Sequence, residues 1–267
     1  MLDKGYFRSD TYDTPVKDYL TLWKKLIVNN RLYFTLKYAY IVLKTRKQAR
    51  KGIYDDKAWA DSSNYIFRFI EETGGEFHIT GMEYIVQDQE PVVFIGNHMS
   101  TLETMILPGL IAPLRRVTFV VKESLVRHPL FRDVMRSRDP IVVGRTDPRK
   151  DFEAVIEGGI ELLRKGVSVV IFPQSTRSPE FKPEEFNSLG VKLAKKAGVK
   201  VVPVALKTDF WGSGKIIKEL GPIYRHKPIY FRFGEPFRIT GSGKEENQSI
   251  IEFIQKSLAE WKLKESA

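Results

Sequence analysis

The sequence predicts an α/β fold, with a mostly parallel central sheet covered by helices on both faces and a basic amphipathic two-helix segment before it. A chain of 267 residues with 42% hydrophobic content can bury one sizeable core. From about residue 75, short β-branched runs alternate with helical periods, which is typical of a parallel sheet. Positive charge is concentrated before that point. We therefore predict a helical membrane-association segment over 1–73 and an α/β domain over 74–267.

The N-terminal segment carries most of the excess charge. Residues 1–51 contain 12 Lys+Arg against 4 Asp+Glu, whereas the rest of the chain contains 31 against 29. Apolar residues recur at helical spacing on both sides of Asn29-Asn30, which predicts two helices joined by a turn. They are Val16, Tyr19, Leu20, Trp23, Leu26 and Ile27, and then Leu32, Tyr33, Leu36, Tyr40 and Leu43.

An apolar face flanked by cations indicates a helix that lies in the headgroup region of a membrane. We expect residues 15–51 to bind an anionic membrane surface, with Lys44, Arg46, Lys47, Arg50 and Lys51 at its end. The apolar run of 32–43 is much shorter than the roughly 20 residues that cross a bilayer, so peripheral attachment is expected. Helices packed on the domain with a solvated basic face remain the alternative.

The absence of cysteine and of a secretion-type start favours the cytoplasmic face of the membrane. We expect no nucleic-acid partner, because no nucleic-acid-binding signature accompanies the charge.

Beyond a helix predicted at Asp55 to Glu72, Gly74-Gly75 marks a break, and strands then alternate with helices. The predicted strands begin with Phe77-His78-Ile79 and continue with Val92 to Ile95, Val117 to Val121, Ile141 to Val143, Val167 to Phe172, Val199 to Leu206 and Ile229 to Phe233. The predicted helices are Thr101 to Ile111, Pro129 to Arg138, Arg149 to Lys165, Glu184 to Ala197 and Asn247 to Lys264.

A histidine lies at the turn between the strand that ends at Ile95 and the next helix. Ligands of open α/β sheets usually bind at the carboxyl ends of strands, and imidazole is the commonest base near neutral pH. Glu103 is close enough in sequence to orient His98, as the acid of a catalytic triad does. However, Ser100 and Glu103 also form a capping box, so capping and catalysis remain open for Glu103.

Cations and polar groups follow other predicted strands. Gln174, Ser175, Thr176 and Arg177 come after the strand that ends at Phe172, and a guanidinium can bind a phosphate through two hydrogen bonds. Lys122 and Arg145 likewise end strands. Any one of these cations alone would most often be a solvated surface charge, but together they predict an anion pocket beside the histidine turn.

Several kinds of site are not expected. The absence of cysteine excludes a thiol nucleophile and a zinc–thiolate site, and the four histidines show no paired metal-ligand spacing. Two Gly-Ser-Gly-Lys stretches, at 212–215 and 241–244, lack the spacing of a phosphate-binding P-loop. No G-x-G-x-x-G follows a strand, so a dinucleotide is not expected. We expect no other cofactor and no metal.

The order of these motifs resembles that of the glycerolipid acyltransferase family, which includes the lysophosphatidate and glycerol-3-phosphate acyltransferases. Asn97-His98 with Glu103 is similar to the family's N-H-x-x-x-x-D block, and residues 172–178 to its F-P-E-G-T-R-S block. Lys122 to Leu125, Pro129 and Arg145 resemble the second block, and Val202-Pro203-Val204 the fourth. The resemblance covers about residues 75–240. Glu103 replaces the family's aspartate, and Gln174-Ser175 replace its glutamate and glycine.

The resemblance implies transfer of a fatty acyl group from a thioester, acyl-CoA or acyl carrier protein, to the hydroxyl of a lysophospholipid, most simply 1-acylglycerol-3-phosphate. His98 would be the base and Glu103 its acid. Lys122, Arg145 and Arg177 would bind the phosphate, with Gln174 and Ser175 beside the acceptor, and Asn97, Thr176 and nearby backbone amides at the oxyanion. Another acceptor, or a silent lipid-binding relative, is the alternative implied by the departures at 174 and 175.

Overall fold

The computed structural model describes residues 6–7, 9–15, 31–87, 89–174, 176–214 and 221–266. Its strands are β1 Tyr12–Asp13, β2 Phe77–Thr80, β3 Val93–Gly96, β4 Val117–Lys122, β5 Ile141–Val143, β6 Ser168–Ile171, β7 Val201–Lys207 and β8 Ile229–Phe233. Its α-helices are α1 Arg31–Arg50, α2 Asp56–Glu72, α3 Leu102–Ile111, α4 Glu123–Arg127, α5 Arg132–Arg136, α6 Pro148–Arg164, α7 Leu189–Ala197 and α8 Lys244–Ser266. The α/β class predicted from the sequence is confirmed.

All the described strands form one sheet in the order β1-β2-β8-β7-β3-β6-β4-β5. The five strands from β7 to β5 run parallel, so their carboxyl ends lie along one edge. Strand β8 pairs antiparallel with β7, and β1 pairs antiparallel with β2. The sheet is therefore mostly parallel, as the sequence predicts, and the turns that follow its central strands converge at one edge.

The central strands separate two apolar cores, because successive side chains of a strand point to opposite faces. Phe94, Val170 and Val202 face a core that includes side chains of α1, α2 and α3. Val93, Val169 and their neighbours face a second core, with α6, α7 and α8. The described part of the N-terminal segment thus packs into the same core as the sheet.

Two helix predictions were wrong in their extent. The helix predicted at Pro129 to Arg138 is reduced to α5, Arg132–Arg136. A separate short helix, α4, precedes the predicted range, and His128 after it is extended, with ψ of 128°. Proline at 129 disfavours a helical conformation for the residue before it, which explains the break. The helix predicted at Glu184 to Ala197 begins only at Leu189, whose backbone N–H donates to the side chain of Asn187.

Helix α1 has apolar residues on two opposite faces. Phe34, Tyr38, Ile41 and Thr45 are buried against the domain. On the outer face, Leu32, Leu36, Tyr40 and Leu43 are each more than half exposed. The helix predicted at 16–27 lies outside the described residues. Among the described residues, no helix is both long enough and apolar enough to span a bilayer.

Candidate active site

Strand β3 and the turn after it are fixed to β7 by a glycine and an asparagine. A Cβ atom at Gly96 would lie 2.9 Å from the carbonyl oxygen of Val204, so only glycine allows this approach. Asn97 then donates from Nδ2 to the carbonyl oxygen of Leu206 at 2.8 Å and accepts from the Leu206 N–H at 2.9 Å. Asn97 is fully buried, so the carboxamide that the sequence suggested for the oxyanion is used to join two strands.

The imidazole of His98 and the carboxylate of Glu103 are in direct contact. Nδ1 of His98 lies 2.8 Å from Oε1 of Glu103. An ionised carboxylate can only accept hydrogen bonds, so Nδ1 carries the proton and Nε2 keeps its lone pair. Glu103 is completely buried, whereas His98 retains 9% of its surface. The pair is therefore arranged as a base with an acid behind it.

Further donors surround the Glu103 carboxylate. Oε1 accepts the backbone N–H of Met99 at 2.7 Å and of Ser100 at 2.9 Å. Oε2 accepts the hydroxyl of Thr208 at 2.6 Å and that of Ser100 at 3.0 Å. Burial raises the pKa of the Glu103 carboxyl, but the hydrogen bond and charge of His98, with the bonds from Thr208 and Ser100, more than offset it. The pKa is lowered overall, so the carboxylate stays ionised.

Capping and orientation are performed by the same side chain. Glu103 lies in the first turn of α3, and its carboxylate accepts the N–H groups of residues 99 and 100, just before the helix. This is the reciprocal half of a capping box, and the hydroxyl of Ser100 accepts the N–H of Leu102 at 3.0 Å. The two interpretations of the S-x-x-E pattern are thus compatible in this fold.

The loop after β6 holds His98 from three directions. The ring of Phe172 stacks on the imidazole, with centroids 4.5 Å apart and planes 9° from parallel. Oε1 of Gln174 accepts the backbone N–H of His98 at 2.8 Å. The N–H of Ser178 donates to the carbonyl oxygen of His98 at 2.9 Å. Gln174 therefore positions the histidine from a buried site, where its own Nε2 has no hydrogen-bond partner among the described residues.

Arg145 and Arg177 come from different loops and are close enough for their charges to interact. Burial lowers the pKa of the Arg145 guanidinium, the positive charge of Arg177 lowers it further, and Asp151 opposes both. Arg145 has a φ of +61°, which is unusual for a residue other than glycine. The carboxylate of Asp151 fixes this turn by accepting the N–H of Gly144 at 2.7 Å and of Arg145 at 2.8 Å. Two neighbouring guanidiniums form a site suited to an anion.

The remaining predicted site residues are Lys122, Thr176 and Ser175. Lys122 is exposed at the end of β4, on the same edge of the sheet. Thr176 is exposed in the loop after β6, and Ser175 lies outside the described residues. In the part of the chain that the structure describes, no group of three His, Cys, Asp or Glu side chains is arranged to hold a metal.

Thr208 and Asp151 hold predicted site residues in place, and neither was predicted from the sequence. Thr208 follows β7 directly and lies more than 100 residues from Glu103, so spacing along the chain gave no sign of the contact. The only available signal was its position at the carboxyl end of a strand that follows Val202-Pro203-Val204. Asp151 was one of several acidic residues on the surface of a predicted helix.

Comparison with known proteins identifies relatives over most of the chain. A sequence profile of the family described as Acyltransferase matches residues 76–207. A protein from Pseudomonas aeruginosa named 1-acyl-sn-glycerol-3-phosphate acyltransferase is 32% identical over 207 residues, which cover 76% of each chain. A chloroplastic protein from Arabidopsis thaliana, 1-acyl-sn-glycerol-3-phosphate acyltransferase LPAT1, is 32% identical over 161 residues, or 60% of this chain and 41% of that one.

A crystal structure has a similar fold. It is that of the 1-acyl-sn-glycerophosphate (LPA) acyltransferase PlsC from Thermotoga maritima, with a TM-score of 0.65 at 21% identity. The match covers 90% of this chain and 97% of that chain. At this identity the similarity bears on the fold alone.

Proposed function

The chain belongs to the Acyltransferase family, and on this premise we propose that it transfers a fatty acyl group from a thioester to the hydroxyl of 1-acylglycerol-3-phosphate, giving phosphatidate. The observation that carries the proposal is the contact between His98 and the buried carboxylate of Glu103, at the sheet edge where Arg145 and Arg177 also lie. The names of the relatives support the choice of acceptor.

In the proposed mechanism, His98 acts as the general base. Nε2 takes the proton of the acceptor hydroxyl while the hydroxyl oxygen attacks the thioester carbonyl carbon. The imidazolium that forms is stabilised by the negative charge of Glu103, 2.8 Å from Nδ1. Because Glu103 is already ionised and held by several donors, it needs no rearrangement during this step.

The second half of the reaction returns the proton. The tetrahedral intermediate collapses to the ester, the C–S bond breaks, and the thiolate leaves with the electron pair. His98 then donates its proton to the sulfur, so that the free thiol and the neutral imidazole are both restored. Transfer is direct, with no acyl-enzyme, since the chain contains no cysteine and no G-x-S-x-G motif.

The two guanidiniums bind the acceptor phosphate in this proposal. Two positive charges at Arg145 and Arg177 match the charge of a phosphate monoester and would fix its hydroxyl beside Nε2 of His98. Lys122 is exposed at the same edge of the sheet and adds positive charge there. Ser175 is assigned to the acceptor side, and Thr176 to stabilisation of the oxyanion. Acyl-CoA or acyl carrier protein is the donor substrate, and no cofactor is assigned.

The outer face of α1 suggests how the domain meets its lipid substrates. Leu32, Leu36 and Leu43 are more than half exposed, and the helix carries Lys44 and Lys47 beside them. A helix binds an anionic bilayer when its apolar side chains enter the boundary between headgroups and acyl chains and its cations contact the headgroups. We therefore propose peripheral attachment at the cytoplasmic face, with no role for nucleic acid.

Thiol release from acyl-CoA tests the chemistry. Purified protein should release thiol when 1-acylglycerol-3-phosphate is added, and His98→Ala should abolish the release. His226→Ala is the matched control, because His226 is exposed and outside this site. Equal rates for the wild type and His98→Ala would refute the enzyme proposal. Glycerol 3-phosphate and lysophospholipids with other headgroups, tested in parallel, distinguish the acceptors.

The phosphate assignment has a separate test. Loss of a charge-assisted hydrogen bond costs about 1.5–3 kcal/mol, so Arg177→Ala should raise the KM for the acceptor about 10- to 100-fold. Arg164→Ala, at an exposed arginine on α6, should leave the KM unchanged. An unchanged acceptor KM for Arg177→Ala would remove that residue from the phosphate site without affecting the role of His98.

The membrane proposal is tested by sedimentation with vesicles that contain an anionic phospholipid. Leu36→Glu and Leu43→Glu together place two negative charges on the outer face of α1, and binding should be lost. Thermal unfolding should change little because both side chains are exposed. Lys262→Glu, at an exposed lysine on α8, controls for the change of charge. Unchanged sedimentation of the double variant would exclude this face as the attachment site.

A further inference from the structure

Both oxygens of Glu103 accept hydrogen bonds from its own turn, Oε2 from the N–H of Ser100 at 3.1 Å and from its hydroxyl at 3.0 Å, and Oε2 has one further donor from the sheet. Oε1 accepts from His98, Met99 and Ser100, which all belong to the turn that carries Glu103 itself. Oε2 accepts the hydroxyl of Thr208, 105 residues away at the end of β7, at 2.6 Å. In the described residues, Thr208 is the one donor to this carboxylate from outside the turn. It therefore fixes the carboxylate relative to the sheet.

We propose that Thr208 is a positioning residue for the acyl transfer: its hydroxyl holds Oε2 of Glu103 so that Oε1 remains aligned with Nδ1 of His98. This inference rests on the proposed function of the His98–Glu103 pair and adds a residue that acts through it. A carboxylate turns about its terminal bond with little resistance, since that torsion is broad. The donors of the turn hold both oxygens from one side, and the contact with Thr208 fixes Oε2 from the side of the sheet.

The ionised state of Glu103 fixes the direction of its hydrogen bond with Thr208. Glu103 is ionised and can only accept, so Thr208 donates to it. The Ser100 hydroxyl lies 3.0 Å from Oε2 and 3.1 Å from the oxygen of Thr208, and its single proton can serve only one of them at a time. Thr208 is completely buried, so water does not compete for its donor. Ser100 and Thr208 thus form a short chain of hydroxyls that ends at the carboxylate.

The length of Glu103 is matched to this arrangement. An aspartate at the same position would withdraw its carboxylate by about one C–C bond, or ~1.5 Å. From 2.6 Å, that withdrawal takes Oε2 out of hydrogen-bond reach of Thr208 if Oε1 stays with His98. The effect of losing the Thr208 hydroxyl should therefore depend on whether residue 103 is glutamate or aspartate.

The test compares Thr208→Val, which keeps the shape and removes the hydroxyl, with Thr208→Ser, which keeps the hydroxyl. A hydrogen bond to a charged group corresponds to about a 10- to 100-fold change, so kcat should fall by that factor in the valine variant, with KM little changed. The acidic limb of the kcat/KM profile should move to higher pH, because the ionised carboxylate loses a donor. Serine should restore both.

Two further comparisons separate positioning from ordinary packing. Thr73→Val removes another completely buried threonine hydroxyl, one that donates to the carbonyl oxygen of Ile70, and it should leave kcat and the pH profile unchanged. In a Glu103→Asp background, Thr208→Val should cause little further loss, since the contact is already broken. If Thr208→Val does not fold, Thr208→Ala takes its place in each comparison.

Each outcome counts for or against the proposal. Wild-type kcat and pH profile in Thr208→Val would overturn it, and so would an equal loss in the glutamate and aspartate backgrounds. If His98→Ala is inactive in the same experiment, only the positioning role has failed. If His98→Ala is active, the proposed function itself has failed.

Discussion

Replacing Glu103 with glutamine removes the negative charge beside His98 and keeps the length and most of the shape of the side chain. The amide oxygen can occupy the position of Oε1 and still accept from His98, Met99 and Ser100. The amide N–H group then faces Thr208, whose hydroxyl can turn and accept instead of donating. We therefore expect Glu103→Gln to fold and to lose mainly the electrostatic stabilisation of the imidazolium.

The size of the effect follows from the contact distance and the burial. Nδ1 of His98 lies 2.8 Å from Oε1, and Glu103 is completely inaccessible to water. Two unit charges roughly 4 Å apart attract by about 4 kcal/mol at an effective dielectric constant of 20. Because each 1.36 kcal/mol is a factor of ten in rate, kcat should fall by about a thousandfold.

The assay is thiol release from acyl-CoA with saturating 1-acylglycerol-3-phosphate, together with the KM for each substrate. The KM values should stay close to those of the wild type, because the glutamine does not alter the arginines. Glu161→Gln, at an exposed glutamate on α6, is the matched control and should be fully active. A Glu103→Gln enzyme within tenfold of the wild type would show that the charge does not drive the proton transfer.

Three smaller effects should accompany these. The lowered pKa of Glu103 stabilises the folded state fully above the ordinary value of 4.5, and this stability is lost as the pH falls through the folded-state pKa. The difference in unfolding free energy between wild type and Glu103→Gln, measured in urea, should therefore shrink in acid. Asp151→Ala should raise the acceptor KM more than it lowers kcat, because the turn that holds Arg145 loses two hydrogen bonds from its backbone N–H groups. Steady-state kinetics at varied acceptor concentration gives both constants. Ser63→Ala should lower the unfolding free energy by about 1–3 kcal/mol in urea titrations, because the N–H of Gly109 donates to the Ser63 hydroxyl at 2.8 Å and would lose this buried partner.

Much of the fold could be predicted because local patterns determine it. The runs around Val93 and Val169 are buried on both faces of a parallel sheet, so each reads as a continuous apolar segment bounded by turns. The antiparallel pairing of β8 with β7 could not be predicted in the same way. A short apolar strand has the same sequence pattern whether it pairs parallel or antiparallel with its neighbour. The two helix errors arose because apolar spacing does not show where a preceding turn ends: the helices predicted from Pro129 and Glu184 begin only at Arg132 and Leu189.

The candidate site divides in a similar way. His98, Glu103, Arg145 and Arg177 could be proposed because each ends a strand or follows one closely. The roles of Asn97 and Thr208 could not, because each depends on a partner more than 100 residues away. An asparagine beside a histidine suggests a substrate contact in a sequence, and only the distance to Leu206 shows that its carboxamide joins β3 to β7.

Residues 172–174 and 176–178 join the proposed base to the proposed anion site, because they contact His98 by a ring, a side-chain amide and a backbone N–H, and include Arg177. Any displacement of these residues would therefore disturb the imidazole and Arg177 together. A change at one of the two proposed sites is thus passed to the other through the same short stretch of chain.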